Sequence, residues 1–144
     1  MRLVDVNVLI YAFREDSPGH AEYRDWLNDL VSSHEAYAVS DQVLSGFLRI
    51  ATHPRVFHPP TPLERALAFT EAYRDRPNAV LVAPGGRHWD LFTQLCKKAG
   101  ARGNLVADAW IAALAIERGC ELVTTDRDFA RFHGLRWRHP LPET

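Results

Sequence analysis

The sequence predicts an α/β protein: a three-layer α/β/α sandwich with a parallel sheet of four to five strands, built as one domain over residues 1–144. Three observations predict it. Short β-branched runs alternate with longer segments of helical period, which implies right-handed crossovers and a parallel sheet covered on both faces. No linker, repeat or low-complexity stretch divides the chain, and 144 residues can bury roughly two-thirds of the unfolded surface around one core. The composition, 47% apolar and 24% charged, is that of an ordered globular chain.

The elements follow in order. "RLVDVNVLIYAF" (2–13) carries Val4, Val6, Val8, Leu9 and Ile10, the residues of a buried parallel strand running into a helix. "SPGHAEYRDWLNDLVSS" (17–33) predicts a helix with Ser17 as N-cap and Pro18 at the first helical position, since Ala21, Trp26, Leu27 and Leu30 share one face. "AYAVS" (36–40) is a strand, and "DQVLSGFLRIAT" (41–52) a helix interrupted by Gly46 and ended near His53-Pro54. "PRVFHPPTP" is a loop, and Pro62 opens a helix through about Arg76. "AVLVA" (79–83) is a short strand, after which Pro84-Gly85-Gly86 turns into a helix carrying Trp89, Leu91, Phe92 and Leu95. "NLVADAWIAALAIERG" (104–119), apolar nearly all round, predicts a central helix with Asn104 as N-cap and Gly119 as stop. "ELVTT" (121–125) is a strand, "DRDFARF" a short helix, and "LRWR" (135–138) a candidate edge strand.

Composition narrows the function classes. The opening segment lacks the pattern of a signal peptide, and no window approaches the ~20 apolar residues of a membrane span, so a cytoplasmic protein with no membrane partner is expected. Cys96 and Cys120 stand singly in or beside apolar helical segments, without metal-ligand spacing. The formal charge of −1 will not draw the chain onto nucleic acid, so any such binding must use a local patch.

Asp5 and Asn7 interrupt an apolar run, and a buried carboxylate is costly unless paired or bound to a metal. An open parallel sheet places its ligand site beyond the carboxyl ends of its strands. Asp5 ends the first strand, Asp126 ends "ELVTT", Asp108 lies in the first turn of the apolar helix, and Asp41 stands where the second strand hands over to its helix. Four carboxylates at one edge, with no His or Cys among them, suit Mg²⁺ or Mn²⁺ rather than zinc, and such an ion serves phosphodiester hydrolysis. Most of these residues also have a plainer reading: Asp126 and Asp41 as helix caps, Asp108 as a charge favoured by the helix dipole, Asn7 as a cap of the first helical turn.

"LVDVNVLIYAF", "LVADAWIAALAIERG" and "LVTTDRDFARF" resemble the three acidic motifs of PIN-domain ribonucleases, and "GFLRIATHPRVF" with "PPTPLERALAF" resembles a subgroup of the VapC-type toxins of bacterial toxin–antitoxin pairs. The resemblance runs from about residue 2 to residue 140. It implies a metal-dependent endoribonuclease of compact α/β/α fold, acting on RNA as a homodimer and silenced by a VapB-type antitoxin. Position by position, it implies Asp5, Asp108 and Asp126 as metal ligands and Asn7 as the small polar residue two after the first acid. Where such domains commonly carry a Glu in the helix after the second strand, this chain has Gly46, and Asp41 is the nearest carboxylate.

Two readings from other classes compete. The Gly46 position favours a catalytically silent PIN module acting by RNA or protein binding. A phosphohydrolase of the haloacid-dehalogenase type also starts from an Asp ending its first strand, but requires a second Asp where this chain has Asn7. The sequence also offers Arg49, beside an apolar helix face, to anchor the site or the acidic end of an antitoxin, and the "PGGRH" loop, whose backbone N–H groups could meet a phosphate.

Overall fold

The computed structural model describes residues 1–142. Five strands, β1 (Arg2–Val4), β2 (Tyr37–Ser40), β3 (Ala79–Val82), β4 (Glu121–Val123) and β5 (Trp137–Arg138), form one parallel sheet in the order β3-β2-β1-β4-β5. Six α-helices lie between and beside them: α1 (Val6–Phe13), α2 (His20–Ser32), α3 (Asp41–Ala51), α4 (Leu63–Arg74), α5 (His88–Ala99) and α6 (Asn104–Glu117). The strand order puts β1 at the centre, and the chain reverses its direction of travel there, which opens the crevice where parallel sheets bind ligands.

Alternation along β1 divides the core. Val4 joins Leu9, Leu27, Val43 and Phe47 on the face covered by α1 to α4, and Leu3 joins Ala109, Ala113 and Leu122 on the face covered by α5 and α6. On α6 the buried stripe is mostly alanine (Ala109, Ala112, Ala113, Ala115), which lets this helix lie close against the sheet. That closeness brings the first turns of α6 to the carboxyl edge beside Asp5.

Several boundaries differ from expectation for identifiable reasons. Ser17 and Pro18 form a turn, with the His20 N–H bonded to the Ser17 carbonyl, and α2 starts only after Gly19, whose φ of 71° breaks the helical path. α3 is capped by Ser40, whose hydroxyl accepts from the Val43 N–H at 3.3 Å, so Asp41 is the first helical residue rather than the cap. Gly103, not Asn104, stands at the cap of α6. Gly119 does end that helix, in the left-handed conformation at φ 66°.

Candidate active site

Asp5 is both a helix cap and the most buried carboxylate of the site. Its backbone is extended, its N–H continues the sheet by donating to the Val123 carbonyl at 2.9 Å, and its Oδ1 accepts from the Val6 N–H at 2.8 Å, starting α1. The sequence reading gave the capping role to Asn7; in the structure Asp5 takes it. Asn7 lies half-buried in the first turn of α1, and its carboxamide makes no hydrogen bond among the described residues.

The residue that ties the site together is Thr124, which the sequence reading passed over. Fully buried after β4, it donates its hydroxyl to Asp5 Oδ2 at 2.8 Å and accepts from the Asp126 N–H at 3.0 Å. One side chain thus fixes the rotamer of Asp5 and the backbone that presents Asp126. A signal was available: "ELVTTD" ends a strand in two threonines, and a hydroxyl buried between acids needs partners on both sides. Asp126 in turn caps the short 3-10 turn Arg127–Arg131, its Oδ1 accepting from the Asp128 N–H at 2.9 Å.

Asp108 completes the cluster from the second turn of α6, not the first as expected, because the helix already begins at Asn104. Burial, together with the charges of Asp126, Asp5 and Asp128, pushes its carboxyl up to about 6. Burial also raises Asp5, against the Thr124 and Val6 hydrogen bonds that favour its charged form, and Asp126 adds to the rise. The charge of Asp126 acts on both Asp5 and Asp108, and that of Asp5 on Asp108, so three carboxylates from three separate elements lie within electrostatic reach. Asp128 is exposed, yet it contributes to the Asp108 shift while its Oδ1 lies 3.8 Å from the Arg131 Nε.

Asp41 is not part of this set. Its side chain, 74% exposed, pairs with Arg74 of α4 through a 3.0 Å contact to the guanidinium Nε. Gly46 lies half-buried where α3 crosses α1, and a Cβ built there would meet the Val6 Cγ2 at 3.1 Å. Neither position supplies a fourth carboxylate. The "PGGRH" loop is also engaged, because Glu117 accepts from the Gly85 N–H at 2.7 Å and the Arg87 N–H at 2.9 Å, occupying the donors that a phosphate would need. Arg49 stands exposed on α3.

Among the described residues no three His, Cys, Asp or Glu side chains are already disposed to hold a metal ion. The fit to one is therefore a matter of donor chemistry and charge. Asp5, Asp108 and Asp126 offer only oxygen, and the charge of Asp126 raises the proton affinity of both Asp5 and Asp108. Hard divalent ions answer those conditions.

Comparisons with known proteins agree in direction. A family model for the PIN domain matches residues 2–135. The chain is 46% identical over 141 residues to ribonuclease VapC43 of Mycobacterium tuberculosis, covering 98% of this chain and 96% of that one. It is 41% identical over 140 residues to ribonuclease VapC25 of the same organism, covering 97% and 99%. Among solved structures, VapBC2 from Rickettsia felis, bound to a DNA fragment from its promoter, is similar with a TM-score of 0.68 at 19% identity, covering 96% of this chain and 97% of that one. Mycobacterium tuberculosis VapC20, described as a toxin that cleaves the sarcin–ricin loop, is similar with a TM-score of 0.62 at 17% identity, covering 94% and 99%.

Proposed function

Because this chain belongs to the PIN-domain family, we propose that it is an endoribonuclease, the toxin of a toxin–antitoxin pair, and that it hydrolyses RNA phosphodiester bonds with Mg²⁺ or Mn²⁺ held by Asp5, Asp108 and Asp126. The observation that carries the reading is the coupling of those three carboxylates at the carboxyl edge of the sheet, with Thr124 holding two of them in place. A divalent ion supplies Lewis acidity toward the phosphodiester and lowers the pKa of water there. Thr124 and the Val6 N–H keep the Asp5 carboxylate turned toward the cleft. Asp108 holds a proton below about pH 6, so a divalent cation bound there would compete with that proton for the carboxyl. Asn7, whose carboxamide makes no hydrogen bond among the described residues, would donate to a substrate phosphate oxygen.

Partners follow from the same reading: single-stranded or loop RNA, whose unstacked backbone permits in-line attack, a VapB-type antitoxin, and a second copy of the chain in a homodimer. A cytoplasmic setting suits the two unpaired cysteines, and among the described residues no helix is long and apolar enough to cross a membrane.

The deciding experiment supplies purified protein, free of antitoxin, with Mn²⁺ and total cellular RNA. Cleavage that EDTA and Asp5→Asn abolish supports the proposal; intact RNA with both proteins leaves the catalytically silent module, which the packing of Gly46 against Val6 favours.

A further inference from the structure

The sheet edge opposite the acids carries a second charged constellation. Alternation sends Arg2 to the same face as Val4, and Arg136 and Arg138 to the face opposite Trp137, so all three arginines lie on the α1–α4 side. Strand register sets Arg2 beside Glu121, and Leu122 beside Trp137, which brings Arg136 and Arg138 to the other flank of the same carboxylate. α2 covers this part of the sheet incompletely. Between its Leu30 and the three guanidiniums lies a cavity of about 570 Å³, with Glu35 at its wall.

The charges there do not cancel. Glu121 accepts from the Arg138 Nε at 2.8 Å, and that pair is discharged. Arg136 donates from Nη2 to the Gly119 carbonyl at 3.0 Å, a neutral partner that leaves its charge and most of its N–H groups unspent. The Arg2 guanidinium, half-buried at the cavity, has no side-chain hydrogen bond or ion pair among the described residues. Three arginines face two carboxylates, Glu121 and Glu35, so one positive charge is left over, and Arg2 and Arg136 present two planar forks to one space.

We propose that this cavity is a phosphate-binding site. Paired guanidinium forks match the several oxygens of a phosphate better than the two of a carboxylate, and the volume admits the sugar attached to it. The phosphate could belong to a polynucleotide or to a free nucleotide. The polynucleotide source rests on the ribonuclease reading, whereas the phosphate chemistry does not. Arg2 opens the strand that leads into Asp5, so the two sites lie about 10 Å apart along the chain but on opposite edges of the sheet. A strand anchored here is gripped outside the cleft, independently of the phosphate that reacts.

Two measurements test the site on the intact protein. The first follows backbone amide resonances during titration with 5′-AMP and, separately, with a single-stranded 12-mer RNA in EDTA. Shifts at Arg2, Arg136 and Arg138 with both ligands support a site that accepts terminal phosphate; shifts with RNA alone support one that takes the phosphodiester. Shifts confined to the acid edge with either ligand overturn the proposal. The second measures RNA affinity by anisotropy against salt. Arg2→Gln with Arg136→Gln should weaken binding at least about tenfold and flatten the salt slope by about 0.7 for each phosphate released, while Arg2→Lys with Arg136→Lys keeps most of the affinity. Unchanged affinity and slope in a Gln variant that still melts cooperatively overturn the site; if Mn²⁺-dependent cleavage persists in that case, the ribonuclease reading stands. Conversely, cavity shifts with 5′-AMP in a protein that cuts no RNA uphold the site and remove that reading.

Discussion

Replacing Thr124 by valine keeps the shape of a buried side chain and removes both hydrogen bonds that join Asp5 to Asp126. It leaves Asp5 Oδ2 without its donor and costs about 1–3 kcal/mol, read as a fall in melting temperature. It should also lower Mn²⁺-supported cleavage by ~10- to 100-fold, the range for residues that orient a metal's ligands, and Thr124→Ser should recover most of the rate. Asp108 carries a separate prediction. Its carboxyl takes up a proton near pH 6 in the folded protein and near 3.8 in the unfolded chain, so the folded state binds more protons between those values. Its contribution to stability is full below the lower value and is lost as pH rises through the upper one; Asp5 acts in the same direction. Metal-free protein should therefore gain melting temperature between pH 7.5 and pH 5, and Asp108→Asn should shrink that gain. Added Mn²⁺ at pH 7.5 should raise the melting temperature of the parent protein more than that of Asp108→Asn. The acids themselves were legible because a carboxylate in an apolar run is costly wherever it occurs. Thr124 was not, since a threonine at the end of a strand needs no explanation until the carboxylates on either side of it are known to meet.

At the scale of elements, α3 and α1 touch through Gly46 and Val6, and this contact governs whether a fourth acid can be added. Gly46→Glu alone must displace Val6 by a few tenths of an ångström. Combined with Val6→Ala the glutamate has room, and the double variant should bind Mn²⁺ more tightly than Gly46→Glu alone, as calorimetry would measure. Asp41→Asn releases Arg74 at an exposed site and should leave Mn²⁺ affinity unchanged; a marked loss would restore Asp41 to the ligand set. Glu117 fastens the loop after β3 to the end of α6 through the Gly85 and Arg87 N–H groups. Glu117→Ala should accelerate amide exchange at those two residues with little change in melting temperature, because water can replace an exposed carboxylate. The order of strands and helices was legible in the sequence because hydrophobic period survives any choice of partner. Helix ends were less so: Ser17-Pro18 carries a helix-start signal, but the left-handed Gly19 beyond it delays the helix. The loop at 84–87 resembled an anion cradle and is one, filled by a carboxylate thirty residues away that local sequence cannot reveal.

Across the whole molecule, a charge of −1 leaves no general attraction to RNA, so affinity has to come from local clusters and should fall steeply with salt. The acid edge and the arginine edge lie at opposite ends of the same short strand, which gives the domain a polarity that its net charge conceals. The central position of β1 has one more consequence, in the order of events during synthesis. Its partner on one side, β2, follows within forty residues, but its partner on the other, β4, pairs Arg2 with Glu121, and the bond from Thr124 to Asp5 spans 119 positions. Closing so long a loop is slow, and it cannot begin until most of the chain has left the ribosome. A nascent chain thus exposes Asp5 long before it acquires Thr124, Asp108 and Asp126 in place, and a truncation ending at residue 120 should neither bind Mn²⁺ nor cut RNA. The topology postpones nuclease activity until translation is nearly complete, leaving an interval in which an inhibitor made beforehand can already be waiting.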